Sequence, residues 1–350
     1  MKRIPHEVMQ RFAEAIFRAG GSEAGEASVV AAHLVEASLM GHDSHGVIRI
    51  SKYIDWVQAG KVLPNQHIRI VTDRGALLVV DSNFGYGQVI GAEAMELVAS
   101  HAAAHGMAAI AIRNSGHLGR IGAWAEQLAR CGLASVHFVN TSGFGILVAP
   151  HGGSDRRLSA NPIAAGVPVE GGPPLVLDIA TSVIAEGKIQ LARNKGEKLP
   201  AGMVLDGHGR PTVDPEAFYA DPSGAILPFG GHKGSGLSFF CEILAGSLSG
   251  GFASNPRSPT AGRLVNNMLS LAFDPAGFGG AEAFAADVTR LIGWTKASPP
   301  ITPGGKVLLP GEIERQTFDE RSAGGLPIDD ETWRKIAATA TSLGVAIPKS

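Results

Sequence analysis

Residues 76–91 read ALLVVDSNFGYGQVIG. An apolar run closes on Asp81, and a glycine-bearing turn then opens a second apolar stretch near Gln88. A dinucleotide-binding loop needs this strand–turn–helix context together with glycines spaced G-x-G-x-x-G. The glycines here are Gly85, Gly87 and Gly91, so the third falls one place late and Ile90 holds its position. Arg113 stands where an acidic ribose partner is normally sought. The spacing therefore favours a plain strand-to-helix turn over a phosphate loop.

Upstream of this turn the periodicity is helical. Residues 5–19 place Val8, Phe12, Ala15 and Ile16 on one stripe, and Gly20-Gly21 ends it. Ser22 is placed to cap a second helix running to about Met40, and Ser44 a third from about His45 to Ala59. Ile50, Ile54 and Val57 give that third helix its apolar face, which Tyr53 could extend. QHIRIV and ALLVVD, around the turn DRG, predict a hairpin. Downstream, the strands MAAIAI, ASVHFV, PLVLDIA and MLSLAF alternate with helices near 88–104, 121–131, from Val183, and 281–293. The run GSGLSFFCEILAGSLSG (234–250) reads as a helix apolar all round, hence buried. A last helix is expected over 329–343. Strands alternating with helices argue for an α/β architecture. The loops at 141–174, 195–233 and 250–265 are long, and long loops are often functional or lie at interfaces.

The 350 residues suffice for two or three domains. The reading divides them into a mainly helical region, 1–75 plus 295–350, and an α/β cofactor- and substrate-binding region, 76–294. Only 18% of residues are charged and the net charge is -2, which offers nothing to nucleic acid or an anionic membrane. The N-terminus lacks an apolar signal core, and no stretch has the length of a membrane span, so a cytoplasmic protein is expected. Cys131 and Cys241 both fall among apolar residues and are expected to be buried free thiols.

The residues that could carry chemistry cluster in GHDSHGVIRI, 41–50. His42, Asp43 and His45 could ligate a metal, but no third ligand cluster accompanies them. A helix cap is a second reading. The third is catalytic: a histidine in a first helical turn has its pKa lowered by the dipole and can pass a proton. Arg49, four residues on, would share its face and suit a substrate carboxylate. HAAAH (101–105) lacks the glutamate of a zinc motif and is read as a solvated helix face. Further on, NSGHLGRIG (114–122) sets His117 in a glycine-rich loop before a helix. DIATS (178–182) ends an apolar strand, GGHKGSG (230–236) offers His232 and Lys233 before a helix, and LLPGEIE (308–314) ends another strand.

These stretches, in this order, resemble the malate/L-lactate dehydrogenase family of the second type, which lacks a Rossmann fold. The resemblance rests on SHGVIR, NSGHLGRIG, Asn161-Pro162, DIATS, HKG and LPGE and spans about residues 5–345. It implies a non-Rossmann mixed sheet that binds the cofactor, a helical region from both termini, and a homodimer with active sites near the subunit interface. It implies NAD- or NADP-dependent interconversion of a 2-hydroxycarboxylate and a 2-oxocarboxylate. Cyclic imino acid reduction by the same parts is an alternative, and so is a non-catalytic nicotinamide-binding sensor. Position by position, it implies His45 and His117 as the acid/base candidates, His45 ranked slightly first, and Arg49 as the substrate-carboxylate partner. The implied cofactor surface is His45, Gly119, Arg120, Ile121, Asp178, Ile179, Ala180, Thr181, Ser182, His232, Lys233, Asn266, Leu309, Pro310, Gly311 and Glu312, with no metal. Arg120 and Lys195 are the cations offered to a ribose 2′-phosphate. Departures from the family pattern at Ala160, Gly116 and Ser235 bear on substrate choice more than on reaction type.

Overall fold

The computed structural model describes residues 2–348. Its centre is a seven-stranded mixed sheet in the order β2-β3-β4-β11-β5-β6-β7. The strands are β2 (Arg69–Asp73), β3 (Leu77–Asp81), β4 (Met107–Ser115), β5 (Ala134–Ser142), β6 (Pro162–Val167), β7 (Leu175–Ala180) and β11 (Val265–Phe273). Only β3 and β4 pair in parallel, as the intervening helix α4 (Gly87–His105) requires; every other neighbour is antiparallel. The hairpin β2–β3 forms as read, so residues 69–73, placed with the helical region by a boundary at 75, pair in the sheet. Leu78, Val80, Ile110, Ile112 and Met268 bury one face of the sheet beneath α4 and α5 (Gly122–Arg130).

Both chain ends build a second core. Helices α1 (His6–Ala19), α2 (Ala24–Leu39), α3 (Arg49–Gln58) and α11 (Asp330–Ser342) meet around Met9, Phe12, Leu34, Ile50 and Ile336. A short strand pair closes it, β1 (Lys2–Ile4) against β12 (Leu326–Ile328). Helix α10 (Glu312–Gly324) follows the LPGE segment and was not evident from periodicity, because none of its residues is buried. The long loop at 195–233 carries a three-stranded sheet of β8 (Val204–Leu205), β9 (Pro211–Thr212) and β10 (Ala225–Ile226). With α6 (Glu186–Lys195) and α7 (Pro215–Tyr219) it forms a small core around Ile189, Val204, Phe218 and Ile226.

Four local expectations are corrected. The third helix does not begin at His45: residues 43–45 form one 3-10 turn and α3 starts at Arg49. Ser44 caps nothing, and α2 begins behind Glu23 without a side-chain cap from Ser22. Cys131 is exposed where α5 ends, while Cys241 is buried. Helix α8 (His232–Cys241), prolonged by a π-helical turn at Glu242–Ser247, is not buried all round. Its inner side is small and polar, through Gly234, Ser238, Glu242 and Gly246. Its outer side carries Leu237, Phe239, Phe240, Ile243 and Leu248, with Phe239 and Phe240 both 58% exposed. Periodicity reports where the apolar residues are, and here they face away from the chain's own core.

Candidate active site

His45 and His117 arrive from different cores and meet. Gly41, with φ of 84°, turns the chain out of α2. Gly46 lets the backbone press on α2, since a Cβ there would lie 2.0 Å from Ser38 Oγ, the acceptor for Val47 N–H. Asp43 is forked by Arg321 of α10, and His42 lies 3.7 Å from Glu314, so the turn is held from outside as well. His117 sits in the loop after β4. Asn266 of β11 accepts Leu118 N–H at 2.9 Å, and the His33 ring accepts Arg120 N–H at 3.1 Å. Gly87 matters here for what it lacks: a Cβ would fall 2.4 Å from the His117 carbonyl oxygen. The glycine turn that resembled a phosphate loop is thus a close-packing contact beneath the histidine.

His45 Nδ1 and His117 Nε2 are 3.2 Å apart, with the two rings nearly parallel. Tyr53 Oη lies 2.7 Å from His117 Nδ1, and Gln88 Nε2 donates both to Tyr53 Oη (2.9 Å) and to the His117 carbonyl (3.2 Å). Because a carbonyl can only accept, this contact fixes which end of the Gln88 amide is the nitrogen. Tyr53 oxygen is therefore an acceptor from Gln88, and its O–H goes to His117 Nδ1. His117 then carries its proton on Nε2 and donates to His45 Nδ1. The remaining proton of a neutral His45 is on Nε2, at the far end of the chain of bonds. Burial, first, and then the nearby Arg49 cation hold both histidines below their ordinary pKa, so both are neutral near pH 7. The lowered His45 pKa comes from burial, not from the helix start expected of it. Burial likewise pushes the Tyr53 phenol up, keeping it protonated. Arg49 donates from Nε to Ser44 O at 2.6 Å, which fixes its guanidinium beside the pair.

Tyr53 and Gln88 were not singled out from sequence as chemical residues. Tyr53 was read as one more apolar position of its helix, although the spacing His45, Arg49, Tyr53 carried a signal.

The cofactor candidates separate into three groups. Leu309, Pro310, Gly311 and Glu312 line a cavity of about 750 Å³ that runs beside Leu175 and Val176 of the edge strand β7. Gly119, Arg120, Ile121 and Asn266 are buried and frame the His117 loop. Arg120 is 2% exposed, clasping both oxygens of Glu126 at 3.1 Å with Glu36 3.7 Å away. That guanidinium is unavailable to a 2′-phosphate. Lys195 is a surface residue 4.0 Å from Glu197. The third group follows β7 towards its C-terminal end. Asp178 accepts Gly122 N–H at 2.8 Å and so ties β7 to the start of α5, while Ile179 and Ala180 pair with β6. Thr181 and Ser182 lead to the bridge Ser182–Pro228, which brings His232 and Lys233 at the head of α8 to that end of the strand. Among the described residues no group of three or more His, Cys, Asp or Glu side chains is placed to hold a metal ion.

Known proteins share this chain's sequence and fold over nearly its whole length. Residues 4–337 match the family described as malate/L-lactate dehydrogenase. Hydroxycarboxylate dehydrogenase B of Escherichia coli K12 is 40% identical over 347 residues, 98% of this chain and 95% of that protein. An L-lactate dehydrogenase of Cupriavidus necator is 37% identical over 91% of each chain. A solved E. coli structure superposes with a TM-score of 0.93 at 40% identity, covering 99% of this chain and 96% of that one. The chain belongs to the malate/L-lactate dehydrogenase family of oxidoreductases.

Proposed function

We propose that His45 is the residue that exchanges a proton with the substrate oxygen, that His117 and Tyr53 resupply it, and that Arg49 holds the substrate carboxylate. The observation that carries this reading is the unbroken run of contacts from Gln88 through Tyr53 and His117 to His45, begun by the two donations of Gln88 Nε2. A bound nicotinamide supplies the hydride to C2 of the 2-oxo acid. His45 Nε2–H would give its proton to the oxyanion that develops there as His117 Nε2–H passes to His45 Nδ1 and Tyr53 O–H passes to His117 Nδ1. The Tyr53 phenolate, held by Gln88 Nε2–H, is refilled along the same bonds when water reprotonates His45 Nε2 after the product leaves. In the oxidative direction the steps reverse: His45 Nε2–H first goes to water, and the substrate hydroxyl proton then fills the vacated nitrogen as the protons shift back along the same bonds. Arg49, anchored through Nε to Ser44 O, keeps its two terminal amines for a bidentate carboxylate contact.

The cavity beside Leu309–Glu312 suits the adenosine end of NAD or NADP: it is roomy, largely apolar, and has cations on its wall. The DIATS strand and the head of α8 would carry the rest of the cofactor. The outward apolar face of α8 suits a second copy of this chain, since a patch rimmed with Phe239, Phe240 and Leu248 is poorly hydrated alone. A homodimer in the cytoplasm is the corresponding assembly. No helix among the described residues is long and apolar enough to cross a membrane.

The test is oxidation of NADH and NADPH across a panel of small 2-oxo acids, with a cyclic imino acid as the competitor. Turnover of a 2-oxo acid above the imino acid supports the reading. Turnover of the imino acid alone replaces it with C=N reduction, and cofactor binding without turnover replaces it with a sensor. Light scattering should give twice the 36.2 kDa chain mass, and Phe240→Asp should lower it towards the single chain.

A further inference from the structure

The charges around the Leu309–Glu312 cavity do not balance. Two carboxylates border it, and both are already engaged. Glu126 receives Arg120 on both oxygens and Arg130 at 3.3 Å. Glu312 pairs with Lys296 through one oxygen and accepts Leu309 N–H at 2.9 Å through the other. Two cations lining the same cavity, Lys306 and Arg315, have no carboxylate oxygen within 4 Å among the described residues, although Lys306 is near enough to Glu312 to help hold its carboxyl below the ordinary range. Arg315 is only stacked on Phe318, with its guanidinium carbon 5.6 Å from the ring centre, and Lys306 is exposed. In a chain with so few charged residues, two unpaired cations at one cavity are a local excess of positive charge.

This matters for the choice between the two nicotinamide cofactors. A site selective for NAD sets a free carboxylate against the ribose 2′-hydroxyl, and that carboxylate repels a 2′-phosphate. Neither carboxylate here is free for that contact, because each is tied by cations and backbone in a closed set of bonds. A site that takes NADP instead offers arginine or lysine to a phosphate monoester. We propose that Lys306 and Arg315 grip the 2′-phosphate of NADP(H), and that the enzyme uses NADPH in preference to NADH. The inference rests on the reading of this cavity as the adenosine site. It replaces Arg120 and Lys195, which the structure places in a buried ion pair and at an exposed helix end beside Glu197.

The test compares ligands that differ by one phosphate. Calorimetric titration with 2′,5′-ADP and with 5′-AMP should show the first bound at least about tenfold more tightly by the native enzyme. Lys306→Ala with Arg315→Ala should abolish that difference. The same pair should raise KM for NADPH at least about tenfold more than KM for NADH, with the circular dichroism spectrum and melting temperature unchanged. Equal weakening of both nucleotides would overturn the 2′-phosphate assignment and move the two cations to the phosphate shared by both cofactors, leaving the cavity reading in place. Unchanged binding of both nucleotides by the double variant would overturn the assignment and the cavity reading together. A native enzyme with no preference for 2′,5′-ADP would overturn both the 2′-phosphate assignment and the NADPH preference, leaving the cavity reading in place.

Discussion

At His117 both ring nitrogens, the carbonyl and the following amide have partners, and the ring is buried. Around the Leu309–Glu312 cavity, two cations lack a carboxylate in direct contact among the described residues. The role proposed for the first region, passing a proton, requires neutral rings held in one tautomer, and closed hydrogen bonding in a dry setting does that. The role proposed for the second, meeting an anionic ligand, requires positive charge left open and near water. A site that joins two demands of this kind divides them between two pieces of backbone: the loop beneath α2 and β4, and the segment along β7.

The largest effect that separates the two regions is on turnover. His45→Ala should lower kcat by about 10²- to 10⁴-fold while leaving nucleotide binding in place, read by steady-state kinetics beside calorimetry. Near-normal turnover in that variant, with none in His117→Ala, would reverse the direction assigned to the proton chain. Next comes packing. Gly87→Ala puts a methyl group against the His117 carbonyl and should cost about 1–3 kcal/mol in denaturant melts, with kcat falling further than the lost stability explains. Activity equal to native in a folded Gly87→Ala protein would show that the loop tolerates displacement.

Tyr53→Phe keeps the ring and removes one link of the chain. A drop in kcat of about tenfold is expected, with KM for the 2-oxo acid little changed and an altered pH profile. A rise in KM alone would make Tyr53 a substrate contact instead. The smallest effect is on stability at mild acid. His33 and His137, both buried, are held from an ordinary 6.5 down to about 3, by burial first; at His33 the nearby Arg120 cation adds to it. The unfolded chain therefore takes up protons on these rings before the folded one does. The stability they contribute is present above pH 6.5 and is lost as pH falls from there towards 3. At pH 5.5 each costs about 1 kcal/mol, visible as a lower melting temperature than at pH 7.

The alternation of strands and helices, the hairpin at 66–81 and the helical ends were legible because each repeats an apolar pattern at a fixed period. His45 and His117 stand out because unusual side chains sit together in glycine-rich turns, and the structure brings the two rings within 3.2 Å. What escaped reading was governed by long-range partners. Tyr53 looks apolar until His117 arrives from another core, and Arg120 looks like a ligand cation until Glu126 closes on it. The stretch 234–250 looked buried because composition cannot say which side of a helix meets its own chain.

The position of β11 has a consequence for how the chain matures. β4 and β5 are joined by residues 116–133, yet they do not pair with each other; β11, from residues 265–273, lies between them and bonds to both. During synthesis the two strands emerge early and must wait, with unpaired edges, until the chain has grown past the α8 segment. Such distant pairing makes folding slow and leaves the half-made sheet prone to stick to other chains. Slow completion of the sheet, and a dependence of refolding yield on protein concentration, are therefore built into the strand order itself.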